Sequence, residues 1–365
     1  MWIIAAVFWV IIIALNIISW RSEAFSTWYT DNLTMFRVTT YGRLTGLLHF
    51  SIGEYMLICG IILVVLFVIL SILYLFLFRR QRFRAFVKGY YRTFVCILTI
   101  VCMLMTLNCT ILYHAKFIDA NPDRPSRQYS VEELKILRDY IVEQANAYST
   151  SVERGDDGYA VYSGDMQQTA KDAMNSIADI YPRLSGYYPD VKPMLFSSLM
   201  CQMYMSGYYF PFSMEANANS YMYIMNVPQT YCHELSHLHG YIYEDEANFI
   251  AFLACINSYD DFFRYSGYLS VLNYVYNAYW EYITDWDEYA RQPQTNELVD
   301  RDNIFVTDDI WHKVEEESVL DTDTVSEVSE TITDSTLKIN GVEDGMASYS
   351  RVVGLLLEYY DGILY

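Results

Sequence analysis

The chain has 365 residues and a net charge of −20, from 24 Lys and Arg against 44 Asp and Glu, yet 53% of it is hydrophobic. Residues 1–120 hold 10 basic and 4 acidic side chains, a balance of +6, and residues 121–365 hold 14 and 40, a balance of −26. That asymmetry excludes a single soluble domain, and it excludes nucleic acid as a partner of the larger half, whose charge repels phosphate.

Three runs without a charged residue, Trp2–Trp20, Tyr55–Phe78 and Thr93–Tyr113, explain the first part. Each is close to the roughly 20 residues that cross a bilayer, so residues 1–114 are expected to form an α-helical membrane anchor of three transmembrane helices. The first run exceeds the roughly 7 to 15 residues of a signal-peptide core, and Asn16-Ile17-Ile18-Ser19-Trp20 offers no small-residue cleavage site, so it is read as a retained anchor. Arg79, Arg80, Arg82, Arg84, Lys88 and Arg92 crowd residues 79–92, whereas only Arg21, Arg37 and Arg43 separate the first two runs. The positive-inside rule then places a basic loop at 79–92 and the N-terminus in the cytoplasm, and residues 115–365 outside.

Cys59, Cys96, Cys102 and Cys109 fall in the apolar runs, and Cys201, Cys232 and Cys255 outside them, with no CxxC pair. Three cysteines allow at most one bridge, and buried thiols are the expectation.

In the outer half, Ser130-Val131-Glu132-Glu133 is a capping box that starts a helix with apolar positions Leu134, Ile136, Leu137, Tyr140 and Ile141. A second helix is expected over Gln167–Tyr181, stopped by Pro182. Met194–Phe196, Tyr208–Phe212 and Ser220–Ile224 are short, aromatic or β-branched, and bounded by Gly, Pro and Asn, which predicts two or three short strands. Helices resume near Tyr231 and run, with breaks at Gly240 and Ser258, through Tyr279. Residues 307–336 hold ten acidic side chains and one basic one, Lys313, and read as a solvated, mobile surface segment. Tyr349, Val352, Val353, Leu356, Leu357 and Tyr360 recur with helical spacing and predict a final amphipathic helix.

Three of the six histidines lie in His233-Glu234-Leu235-Ser236-His237-Leu238-His239. This contains HExxH: on a helix, His233 and His237 present two imidazole nitrogens to one metal ion, and Glu234 beside them reaches the attacking water as general base. A catalytic zinc needs a third protein ligand and an open position. Gly240 can end the helix, and Glu244-Asp245-Glu246-Ala247-Asn248 opens another in which Glu244 and Asn248 share a face, the carboxylate to ligate and the amide to support a ligand. Asp245 and Glu246 remain alternative ligands. His239 is turned away from the ligand face, towards a surface or supporting role, and Tyr241, Tyr243 and His239 are candidates for contact with substrate or an oxyanion.

Leu47 to Glu54, Ser206-Gly207-Tyr208-Tyr209-Phe210-Pro211-Phe212 with Glu215-Ala216-Asn217, the HExxH segment with Glu244 to Phe249, Asn340 to Gly345 and Ser348 to Val353 resemble the membrane-anchored family catalogued as domain of unknown function 3810. The resemblance spans nearly the whole chain and implies a bacterial membrane protein with a gluzincin-like site. Gluzincins pair HExxH with a downstream Glu, often as ExxxD; here Asn248 stands in place of the Asp, and the interval from His237 to Glu244 is short.

The sequence thus predicts a mainly α (α+β) zincin-like extracytoplasmic domain with a short sheet, holding Zn2+ through His233, His237 and Glu244. The expected activity is a metallopeptidase acting on a peptide or protein substrate at the outer membrane surface, with the Tyr208–Ile224 strands as an edge for an extended peptide. The alternatives are a non-catalytic membrane sensor or scaffold with a structural zinc, and an envelope amide hydrolase.

Overall fold

A computed structural model describes residues 2–122, 124, 127–346 and 351–365. The chain divides into two compact units: residues 1–116 with 210–215, and residues 117–209 with 216–365.

The first unit contains three helices long and apolar enough to cross a membrane, beginning at Trp2, Ile52 and Gln81. None of the apolar window of the second, Ile52–Leu77, is buried by protein, so only a hydrocarbon environment would cover it. The third differs from expectation. It starts at Gln81, so Arg82, Arg84, Lys88 and Arg92 are helical and the connection shrinks to residues 78–80. Arg and Lys are good helix formers, and no proline interrupts them. Further on, it loosens into a π turn at Thr106–Thr110 and a 3₁₀ turn at Leu112–His114.

Between the first two apolar helices lies an amphipathic helix, Glu23–Arg37, capped by Ser22 and burying Ser26, Tyr29, Thr30 and Thr34. Its last residue, Arg37, donates to the Leu107 carbonyl, Asn108 Oδ1 and Thr34 Oγ1. Residues 210–215 fold with these helices. Asn108 Nδ2 donates to the Pro211 carbonyl at 2.7 Å and the Tyr41 hydroxyl to the Phe212 carbonyl at 2.6 Å. The Glu215 carboxylate accepts from Ile52 N and Gly53 N at 3.2 and 2.7 Å, occupying the electropositive start of the second apolar helix. Gly53 lies so close to Phe210 that an added Cβ would sit 2.8 Å from the Phe210 Cβ.

In the second unit the capping box is present: Ser130 Oγ accepts from Glu133 N, Glu133 accepts from Ser130 N, and the helix runs Val131–Ser149. It packs on Asp261–Trp280, which packs on Glu244–Ile256; that helix in turn packs on Val227–Leu238, the helix carrying HExxH. The helix expected over Gln167–Tyr181 ends at Ser176 and passes into turns before a 3₁₀ turn at Pro182–Leu184. The sheet has three strands in the order β1 (Lys192–Pro193), β3 (Glu215–Ala218), β2 (Gly207–Phe210), with β1 and β3 parallel and Lys192 opposite Asn217.

Two expected strands are absent. Met194–Phe196 leads into a short helix at Ser197–Gln202, and Ser220–Ile224 is a turn entering the 3₁₀ turn Ile224–Asn226. Tyr223 is held there by side-chain chemistry: its hydroxyl donates to Asp302 at 2.7 Å and accepts from Ala160 N, while Arg154 and the Tyr265 hydroxyl complete the buried Asp302 carboxylate. The acidic segment is regular, forming helices Asp308–Glu317 and Thr322–Ile339 whose side chains are mostly exposed; Val314 is buried against Cys201 and Val306. The final helix is Val352–Tyr360; Tyr349, expected to begin it, lies outside the described residues.

Candidate metal centre

His233 and His237 are one turn apart on Val227–Leu238, with Nε2 atoms 3.1 Å apart. Gly240, at φ +93°, then reverses the chain in the left-handed conformation glycine adopts without steric cost; its N–H and that of Tyr241 return to the carbonyls of His237 and Ser236. This turn brings the Tyr241 carbonyl behind His237, where it accepts from Nδ1 at 2.8 Å. The next helix opens with Glu244, Asp245 and Glu246, acidic residues stabilised by the helix N-terminus. Glu244 Oε2 lies 3.1 Å from His233 Nε2 and 3.7 Å from His237 Nε2. Asn248, one turn on, accepts from His233 Nδ1 at 2.9 Å through Oδ1.

The hydrogen bonds fix the tautomers. A carbonyl only accepts, so His237 carries its proton on Nδ1, and Asn248 Oδ1 sets the same choice for His233. Both Nε2 lone pairs therefore converge on the Glu244 carboxylate, the three donor atoms lying within 4.8 Å of one another. Such a trio can take a cation between its members. Two imidazole nitrogens on one tetrahedral zinc, each at about 2.0–2.1 Å, are about 3.3 Å apart, which the 3.1 Å separation fits. These residues can hold a metal ion.

Without a metal, protons do that work. Burial opposes charge on His237, but the Glu244 and Glu234 carboxylates and the Tyr241 carbonyl outweigh it and raise the imidazole to about 9. Burial likewise disfavours the Glu244 carboxylate, yet His237 and His233 hold it far below the usual carboxylate range. His233 is lowered, chiefly by burial.

Glu234 is only 4% exposed, and its Oε2 has no hydrogen-bond partner among the described residues. Burial raises its carboxyl to about 8, with His237 pulling down and Glu244 pushing up. A carboxyl tuned to the neutral range suits a general base. Strand β2 lies against it: a Cβ added to Gly207 would be 2.7 Å from Glu234 Cγ, so only glycine permits this approach. Gly207 was not singled out from the sequence, because it is distant along the chain and its role depends on tertiary packing. The Tyr209 ring, with its centroid 6.0 Å from that of His237, is a second such neighbour.

The remaining candidates fall elsewhere. Glu246 Oε1 accepts from Ile118 N at 2.6 Å, and Asp245 pairs with Arg351 at 2.9 Å; neither belongs to the donor trio. His239 is fully buried rather than on the surface: it stacks on Tyr188, its Nδ1 donates to the Arg183 carbonyl at 2.7 Å, and burial lowers it to about 4. The site draws on Tyr241 through its backbone carbonyl, and its ring lies edge-on to Tyr181. The Tyr243 ring lies edge-on to Phe117.

The family described as "Protein of unknown function (DUF3810)" matches residues 29–357, nearly the whole chain. The chain belongs to this family. No curated protein and no solved structure matches it significantly. The matched DUF3810 region contains the donor trio, Glu234, Asn248 and Gly207, together with the second and third apolar helices.

Proposed function

We propose that this DUF3810 member is a membrane-anchored zinc metallopeptidase with a zincin-like, gluzincin-type site facing the outer side of the membrane. The observation that carries the reading is the convergence of two Nε2 lone pairs and the Glu244 carboxylate, with the buried Glu234 in the same motif, whose Oε2 has no hydrogen-bond partner among the described residues. A structural site needs the first three residues and has no use for the fourth.

Zinc held by His233, His237 and Glu244 would supply Lewis acidity to water and to the scissile carbonyl. Asn248 and the Tyr241 carbonyl keep both imidazoles in the tautomer that directs Nε2 at the ion. Glu234 takes the proton of the attacking water on its carboxylate and returns it to the leaving amine. The substrate class is a peptide or protein at the membrane surface.

Glu234→Gln tests this in the full-length protein. Zinc content by mass spectrometry should equal that of wild type, while cleavage of an unbiased peptide library falls by about 10²- to 10⁴-fold, the contribution of general-base catalysis. Equal cleavage by both proteins would defeat the assignment of Glu234. If instead a cellular phenotype survives Glu234→Gln and is lost with zinc in His233→Ala, the metal is structural and the protein a scaffold.

A further inference from the structure

Behind the metal donors, two thiols face one another. Cys232 immediately precedes His233 on the HExxH helix, and Cys255 lies near the end of the helix that begins at Glu244. Both are fully buried, and their Sγ atoms are 3.9 Å apart. The third cysteine of this unit, Cys201, accepts instead from Asn219 Nδ2 and packs with Val306 and Val314. A disulfide requires about 2.05 Å between sulfurs, which leaves about 1.9 Å to be shared by two side chains on helices already packed together. The opposite side of Cys255 is closed: a Cβ added to Gly267 would lie 2.8 Å from the Cys255 Cβ.

We propose that Cys232 and Cys255 are joined by a disulfide in the mature protein, tying the histidine helix to the carboxylate helix. The loop it closes, residues 233–254, contains His233, Glu234, His237, Glu244 and Asn248. The proposal rests on the outward orientation given above, since disulfides persist in oxidising compartments. Its oxidant is a disulfide, either of a thiol oxidase or of a small oxidised thiol. One cysteine thiolate attacks that disulfide and expels the first thiolate, giving a mixed disulfide. The other cysteine, also deprotonated, attacks the mixed disulfide, forms the Cys232–Cys255 bond and releases the second thiolate. The two cysteines lose two electrons and two protons, and the oxidant leaves as two thiols. Complete burial of both sulfurs places this exchange before the core closes, and afterwards shields the bond from reductants.

Differential alkylation of the full-length protein tests the bridge. Cells are denatured in N-ethylmaleimide, the protein is reduced and treated with iodoacetamide, and peptides are mapped by mass spectrometry. Cys232 and Cys255 should carry the second label, and Cys201 the first. In Cys232→Ser, Cys255 should shift to the first label. First-label Cys232 and Cys255 in wild type would overturn the proposal, as would a Cys255 that remains protected in Cys232→Ser. An impermeant maleimide applied in parallel to a cysteine at Val319, 95% exposed, separates the premises. A reduced pair in a domain labelled from outside removes the bridge alone, and a reduced pair in an unlabelled domain removes the orientation as well.

Discussion

Asn248→Ala isolates the part of the site that orients a ligand without touching the metal. The substitution removes the 2.9 Å acceptor of His233 Nδ1–H, on a ring whose side chain is only 12% exposed. A buried donor left without a partner costs about 1–3 kcal/mol, equivalent to about 5- to 150-fold in binding. The proton is also freed to move to Nε2, where it blocks ligation directly. Removing a partner of a metal-bound histidine typically costs about 10- to 100-fold in affinity, so the two routes agree. Competition against a chromogenic chelator, using the full-length protein in detergent, measures the loss. Asn248→Asp keeps an acceptor and gives it charge, which strengthens the hydrogen bond, so its zinc affinity should equal or exceed that of wild type. An Ala variant within twofold of wild type, with the Asp variant weakened tenfold, would refute the role assigned to Asn248.

Gly207→Ala should leave zinc content unchanged and lower peptide cleavage by about 10²-fold, because the new Cβ, 2.8 Å from the Glu234 Cδ, displaces the base; full activity would place Glu234 elsewhere. Zinc binding at pH 7 should release about one to two protons, measured calorimetrically in buffers of different ionisation enthalpy. In the metal-free protein His237 keeps its proton up to about 9 and Glu234 up to about 8, so the ion must expel the first and favours loss of the second. Release that vanishes at pH 7 and appears only below about 6 would contradict both assignments. In intact cells, impermeant labels should reach a cysteine at Val319 and miss one at Gln81; the reverse would invert the orientation.

The donor trio was legible because its geometry is local. His233 and His237 are four apart on one helix, Gly240 is a stop signal, and Glu244 and Asn248 repeat the four-residue spacing on the next. The apolar helices were legible for the same reason: a run such as Ile52–Leu77 states its environment by composition. What failed depends on partners distant in sequence. β3 is Glu-Ala-Asn-Ala with all four residues buried, a pattern that carries no apolar alternation, while the aromatic Ser220–Ile224 mimics a strand although Tyr223 is committed to Asp302. Gly207 acquires its meaning only once β2 lies against Glu234. The basic stretch after Arg79 read as a loop because charge reports sidedness and says little about backbone conformation.

The six residues from Phe210 to Glu215, which join β2 to β3, fold with the apolar helices, so neither unit is a continuous piece of chain. A fragment beginning at Phe117 would keep every metal donor and still lose the partners of Pro211, Phe212 and Glu215: the Asn108 amide, the Tyr41 hydroxyl, and the two N–H groups at Ile52 and Gly53. The connection between β2 and β3 would then lose the hydrogen bonds that hold the Pro211 and Phe212 carbonyls, and those of the Ile52 and Gly53 N–H groups to the Glu215 carboxylate. Cutting the chain at Phe117 to remove the apolar helices therefore also removes the contacts that hold residues 210–215.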